Sequence, residues 1–166
     1  WRARYPQYAF VLTFFSPSGY EVRKDYDGAD YVFYLPLDSR HSAKKFLSVV
    51  QPKICIFVKY EFWYFLLSEI AKRDIPNILI SAIFHPQQTF FRPYGGLHRD
   101  MLHAFTHIFV QDDASLHLLR KINVHHATTA GDTRFDRVLQ AMQNLQPLPS
   151  LEAFCGDHKI LVAGST

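Results

Sequence analysis

Lys53 to Ser81 reads KICIFVKYEFWYFLLSEIAKRDIPNILIS, and its two ends differ in texture from its middle. KICIFV (Lys53 to Val58) and NILIS (Asn77 to Ser81) are short, nearly unbroken apolar runs that read as strands. Between them, Phe62 to Lys72 reads as a single helix. A strand buried on both faces needs continuous apolar composition, which occurs when helices cover a parallel sheet. The stretch is therefore a strand, a crossover helix and a parallel strand.

The same alternation extends outward. On the N-terminal side, AFVLTFF (Ala9 to Phe15) is a strand ended by Ser16-Pro17-Ser18-Gly19, and a short helix follows over Pro17 to Asp25. YVFYL (Tyr31 to Leu35) is the next strand. A helix over Ser39 to Val50 then places Ala43, Phe46, Leu47 and Val50 on one face, and Gln51-Pro52 breaks it. On the C-terminal side, Ala82 to Pro93 is a phenylalanine-rich loop, and Tyr94 to Phe105 looks helical. HIFV (His107 to Val110) is a strand, Asp112 caps a helix reaching Ile122, HATTA (His126 to Ala130) is a sixth strand, and Thr133 to Asn144 is helical. The expected fold is α/β: a Rossmann-like parallel sheet with helices on both faces. Ligands of such folds collect at the carboxyl ends of the strands.

Composition narrows the classes. With 166 residues, 48% apolar and 20% charged, the chain suits one domain with an ordinary core and excludes disorder. Eighteen basic against fifteen acidic residues give +3 without a basic stripe, so no nucleic-acid partner is expected. Two cysteines make no disulfide framework, and Cys55 inside KICIFV reads as a reduced core residue, as on a cytoplasmic face. No apolar stretch approaches the roughly 20 residues that span a bilayer, and no signal peptide is visible. After Asn144 the texture changes: LQPLPSLEAFCGD reads as a linker, and KILVAGST as a new strand with a Gly-Ser-Thr turn. Residues 1–135 are thus expected to form one domain, 136–157 a helix and linker, and 158–166 the first strand of another. Opening at Trp1 and stopping at Thr166 after an apolar run, the chain looks like a piece of something longer.

Four strand ends carry candidate chemistry. Ser16, Ser18 and Gly19 offer hydroxyls and N–H groups at a helix start, for an anion or sugar hydroxyls or simply for a turn. Glu61, beside Trp63 and Lys59, is a carboxylate expected in the first turn of a helix, where the dipole favours its ionised form. It is either a ligand contact or a dipole partner, with Trp63 a core residue. Arg92 and Tyr94 in FFRPYGG could dock an acyl chain and its phosphate, or the loop's aromatics could pin it to the core. In GDTRFD, Asp132 can cap the next helix, while Arg134 and Asp136 can form a surface pair. His103 and His107 are four apart, but His107 begins a strand, and no His-Glu-x-x-His or Cys-x-x-Cys exists, so no metal is expected. No cofactor is expected either: the chain has no P-loop, Gly-x-Gly-x-x-Gly or Gly-x-Ser-x-Gly.

In order along the chain stand TFFSPSGYE, YLPLD, QPKICIFVKYEFW, IPNILISA, HIFVQDDAS, GDTRFD and VAGST. Together they resemble the 3-deoxy-D-manno-octulosonic acid (Kdo) transferases of lipopolysaccharide synthesis. Members of that family carry Pro-Thr-Gly, Tyr-Leu-Pro-x-Asp, Pro-Lys before an apolar strand, Glu-Thr-Glu-Leu-Trp, a Gly-Asn/Asp-x-Lys/Arg-Phe-Asp turn and Ala-x-Ser-Thr. The resemblance implies the N-terminal, acceptor-binding half of a GT-B glycosyltransferase, lacking its first strand. It implies inverting, metal-independent transfer of Kdo from CMP-Kdo to a lipid A precursor, at a membrane surface on the cytoplasmic face of the bacterial inner membrane.

By the same resemblance, Ser16, Ser18, Gly19, Glu61, Trp63, Arg92, Tyr94, Asp132 and Arg134 line the acceptor side, and Ser165 and Thr166 lie on the donor side. The family's base, a Glu in a Gly-Glu motif, has no counterpart here, so the fragment is not expected to catalyse. Lys59 replaces the first Glu of Glu-Thr-Glu-Leu-Trp, and Ser81-Ala82-Ile83 replaces Asn-Ala-Arg, with Arg92 a candidate substitute for that arginine. Two rivals share the pattern in part: a GT-B sugar-nucleotide 2-epimerase, and a non-catalytic Rossmann-like binding module.

Overall fold

The computed structural model describes residues 2–143 together with Phe154 and Leu161. The chain divides into two compact units, Trp1–Gly131 and Asp132–Thr166. The first unit holds β1 (Val11–Phe14), α1 (Pro17–Arg23), β2 (Tyr31–Tyr34), α2 (Arg40–Val50), β3 (Cys55–Val58) and α3 (Tyr64–Lys72). It continues with β4 (Asn77–Ala82), a 3-10 turn (Thr89–Phe91), α4 (Gly96–His103), β5 (His107–Val110), α5 (Asp113–Lys121) and β6 (Ala127–Thr129). The second unit contributes α6 (Thr133–Gln143). The expected linker and the strand at 158–166 lie outside the described residues.

Local chemistry explains the boundaries. Ser39 caps α2 by accepting from Ser42 N at 3.1 Å, and Gln51 closes it in the left-handed region at φ 47°, just before Pro52. Asp112 caps α5 through Ser115 N at 2.7 Å. Ala43 and Leu47 of α2, Leu66, Leu67 and Ile70 of α3, Leu102 of α4 and Leu119 of α5 bury the apolar stripes against Leu79, Ile108 and Val110.

All strand pairs are parallel, as an α/β Rossmann-like fold with helices on both faces requires. The strands form two sheets, however, β1–β2 and β3–β4–β5–β6. The three connections of the larger sheet run in one direction, so right-handed crossovers put α3, α4 and α5 on one face. Cys55 N and Lys59 N bond to Pro76 O and Ile80 O, so the backbone of Ile54, Ile56 and Val58 turns to the other edge. Likewise Tyr31 N and Leu35 N bond to Phe10 O and Phe14 O, which turns Val11 and Thr13 away from β2.

In the larger sheet one face is more completely buried than the other. In β3 Phe57 is buried, yet Ile54, Ile56 and Val58 remain 47%, 42% and 46% exposed. β4 and β5 alternate in the same sense: Asn77, Leu79, Ile108 and Val110 are buried, while Ile78, Ile80, His107 and Phe109 are half-buried.

A bulge interrupts β4. Leu79 pairs with Ile108 and Ala82 with Val110, so β4 carries one extra residue, and Ser81 sits there at φ 52°. Its carbonyl accepts from Gln111 Nε2 at 2.8 Å.

The phenylalanine-rich loop is pinned. Phe84 and Phe90 are buried, and the Phe62 ring packs against Phe90 at 4.9 Å, tilted by 59°. Arg99 Nη1 donates to Phe90 O at 3.1 Å and Arg92 O at 2.9 Å. The backbone at Gly95 passes so close to the Thr89 carbonyl that a Cβ there would overlap it. Gly95→Ala is expected to cost about 1–2 kcal/mol through this clash, read as a lowered chemical-denaturation midpoint with unchanged m-value.

Candidate functional site at the strand ends

The carboxyl ends of β1 and β3 meet through two aromatic rings. Phe15, just past β1, lies 4.6 Å from Trp63, centroid to centroid, at an interplanar angle of 48°. Trp63 Nε1 donates to Glu61 Oε2 at 2.5 Å. Ser16 and Ser18 follow Phe15 directly, and their hydroxyls bond to each other at 2.7 Å. Ser16 occupies the N-cap position of α1 without a side-chain cap bond, so these hydroxyls are exposed and serve no helix. Gly19 lets α1 lie against Phe14, whose ring a Cβ would meet at 2.8 Å. The Phe15–Trp63 contact thus brings the candidate residues Ser16, Ser18, Glu61 and Trp63 to one end of the two sheets.

Glu61 differs from expectation in one respect. The third helix begins at Tyr64, and its first turn contains no acidic residue. Asp38 supplies that charge instead: its carboxylate accepts from Phe65 N at 3.1 Å and Leu66 N at 3.0 Å. With the helix end already capped, Glu61 is not a dipole partner. Its carboxylate stands on irregular backbone between Lys59, at φ 63°, and Trp63. Two non-glycine residues in the left-handed region, Lys59 and Ser81, therefore mark the carboxyl ends of adjacent strands, where strain commonly accompanies function.

Arg92 and Tyr94 are not drawn into this cluster. Arg92 Nε donates within its own loop to Gln87 O at 3.4 Å, and Tyr94 is 77% exposed. In the second unit, Arg134 pairs with Asp132 rather than Asp136: Nε to Oδ2 is 2.7 Å and Nη2 to Oδ2 is 2.6 Å. Asp132 also accepts from Arg134 N at 2.9 Å, so it opens α6 as expected. Ser165 and Thr166 lie outside the described residues.

Among the described residues no group of three or more His, Cys, Asp and Glu side chains could hold a metal. His107 Nε2 instead pairs with Thr128 Oγ1 at 3.0 Å. No helix among them is long and apolar enough to cross a membrane.

Burial pushes the Cys55 thiol up to about 11. The thiol is thus protonated at neutral pH and a poor nucleophile. Its folded pKa lies above the unfolded value of 9.0, so its stabilising contribution is complete below pH 9.0 and is lost as pH rises toward 11. Thermal melts of wild type should therefore fall more steeply than those of Cys55→Ala across that window; parallel curves would contradict the assignment.

Residues 1–137 match the sequence profile described as 3-Deoxy-D-manno-octulosonic-acid transferase (kdotransferase). The chain belongs to this family. A 3-deoxy-D-manno-octulosonic acid transferase of Haemophilus influenzae is 35% identical over 79 residues, 47% of this chain and 18% of that protein. One of Aquifex aeolicus is 38% identical over 77 residues, 46% of this chain and 21% of that protein. The matched stretch thus spans about a fifth of the length of these relatives. A Burkholderia thailandensis nucleoside kinase, solved in complex with ADP-inosine, superposes on 69% of this Kdo-transferase-family chain and 43% of its own. Its TM-score of 0.39 and 19% identity give no argument about function.

Proposed function

We propose that the polypeptide containing this chain is a glycosyltransferase of lipopolysaccharide biosynthesis. It transfers Kdo from CMP-Kdo to a lipid A precursor, with inversion and without a metal, and this chain forms the acceptor side. The observation that carries the reading is the family match over residues 1–137, with Glu61 and Trp63 at the ligand edge of β3. A sugar hydroxyl becomes a nucleophile only when a positioned base takes its proton. The resemblance assigns that base to no residue of this chain. Glu61 then acts as a hydrogen-bond acceptor for acceptor-sugar hydroxyls, beside the hydroxyls of Ser16 and Ser18.

The unpaired edges of β1 and β3 support the domain reading. A further parallel strand between β1 and β3 would join both sheets into one and pair the backbone of Ile54, Ile56 and Val58. On this reading residues 1–135 belong to the acceptor domain, 136–157 lead out of it, and 158–166 start the donor domain. The parent works at the cytoplasmic face of the inner membrane.

The test uses the full-length parent with CMP-Kdo and a tetra-acylated lipid A precursor, following CMP release and lipid mass. Acceptor-dependent release with a Kdo-sized mass gain is expected, and Glu61→Gln should reduce kcat/KM at least about tenfold, the scale of losing a charged hydrogen-bond partner. An epimerised nucleotide sugar without lipid mass gain, or no reaction by folded enzyme, overturns the proposal.

A further inference from the structure

We propose that Trp63 is a positioning residue for Glu61, with Phe15 as the brace that holds the indole. The inference rests on the acceptor-site reading of Glu61. Three observations lead to it. First, the indole N–H is a single donor, and it is spent on one carboxylate oxygen of Glu61, at 2.5 Å. Second, Trp63 occupies the N-cap position of α3, yet its side chain caps nothing there, because Asp38 takes the Phe65 and Leu66 amides. Its polar end is therefore not needed by the helix. Third, the ring is packed from the other sheet by Phe15, at 4.6 Å.

Glu61 needs such a holder. It lies on a short irregular segment between the left-handed Lys59 and the start of α3, where neither a ladder nor a helix restricts its side chain. A carboxylate free to rotate presents its second oxygen in several directions. One bound through Oε2 to a packed indole presents Oε1 in few. The Phe15 contact also ties that orientation to the Phe15-Ser16-Pro17-Ser18 turn, so the hydroxyls and the carboxylate keep a common geometry.

A double-mutant cycle in the full-length parent separates positioning from packing. Trp63→Phe keeps an aromatic ring and removes the N–H; it should lower kcat about tenfold with acceptor KM changed less than about twofold, since small misplacements act mainly on turnover. In a Glu61→Gln background the same change should cost less than about twofold, because the group it positions is already altered. Phe15→Leu should give a smaller loss of the same kind. Equal losses from Trp63→Phe in both backgrounds overturn the proposal.

A second readout does not depend on turnover. The indole Nε1–H resonance that disappears in Trp63→Phe should move upfield in Glu61→Gln, where the charged acceptor is gone. A resonance that does not move overturns the contact. Wild type that transfers no Kdo removes the acceptor-site reading, and the resonance then decides the contact by itself.

Discussion

Asn77→Asp is expected to lower unfolding free energy by about 3–5 kcal/mol at neutral pH, the cost of leaving a charge buried and uncompensated. Asn77 is 1% exposed at the start of β4. Its Nδ2 donates to Ala104 O at 3.0 Å, its Oδ1 accepts from Thr106 N at 2.9 Å, and its own N–H donates to Thr106 Oγ1 at 3.0 Å. The amide thus joins the entry of β4 to the turn between α4 and β5. An introduced carboxylate keeps the acceptor but sets negative charge against the Ala104 carbonyl. Once protonated it can donate again, so the deficit should shrink as pH falls. Asn77→Ala should cost less, about 2–3 kcal/mol, because Thr106 N also bonds to Asn77 O at 2.9 Å. Urea titrations of both variants at neutral and mildly acid pH check the order. A pH-independent deficit for Asn77→Asp would falsify the charge argument.

Asp38→Ala is expected to cost about 2 kcal/mol, the upper range for losing an N-cap whose carboxylate also faces the helix dipole. Two amides lose their acceptor at once, and the tie from the end of β2 to the start of α3 is cut. Asp38→Asn keeps an acceptor oxygen without the charge and should cost roughly half as much. Hydrogen exchange at Phe65 and Leu66 gives the local readout: both amides should exchange faster in Asp38→Ala, while Ile70 stays protected. Unchanged exchange at those two amides would show that water replaces the carboxylate.

Much of the fold was legible from periodicity. Apolar runs marked β1 to β5 among the described residues because strand burial needs hydrophobic composition, and Ser39, Gln51-Pro52 and Asp112 marked helix ends because their chemistry is local. Local signals failed where the partner is remote in sequence. Nothing beside Tyr64 announces that Asp38, 27 residues before Phe65, caps that helix. The residues of the phenylalanine-rich loop favoured pinning to the core over docking a ligand, and Arg99 and the buried rings hold it there.

The candidate site divides in the same way. Residue types at the strand ends singled out Glu61, Trp63, Ser16 and Ser18, and the ordered motifs pointed to the family that the match over residues 1–137 bears out. Only the tertiary structure joined Trp63 to Glu61 and Phe15, left Arg92 and Tyr94 on the loop, and parted the strands into two sheets. The physical reason is range. Propensity, periodicity and capping act within a few residues and are written into neighbouring side chains. Hydrogen bonds and ring contacts between strand ends depend on how separate elements are packed, and no local pattern carries that distance.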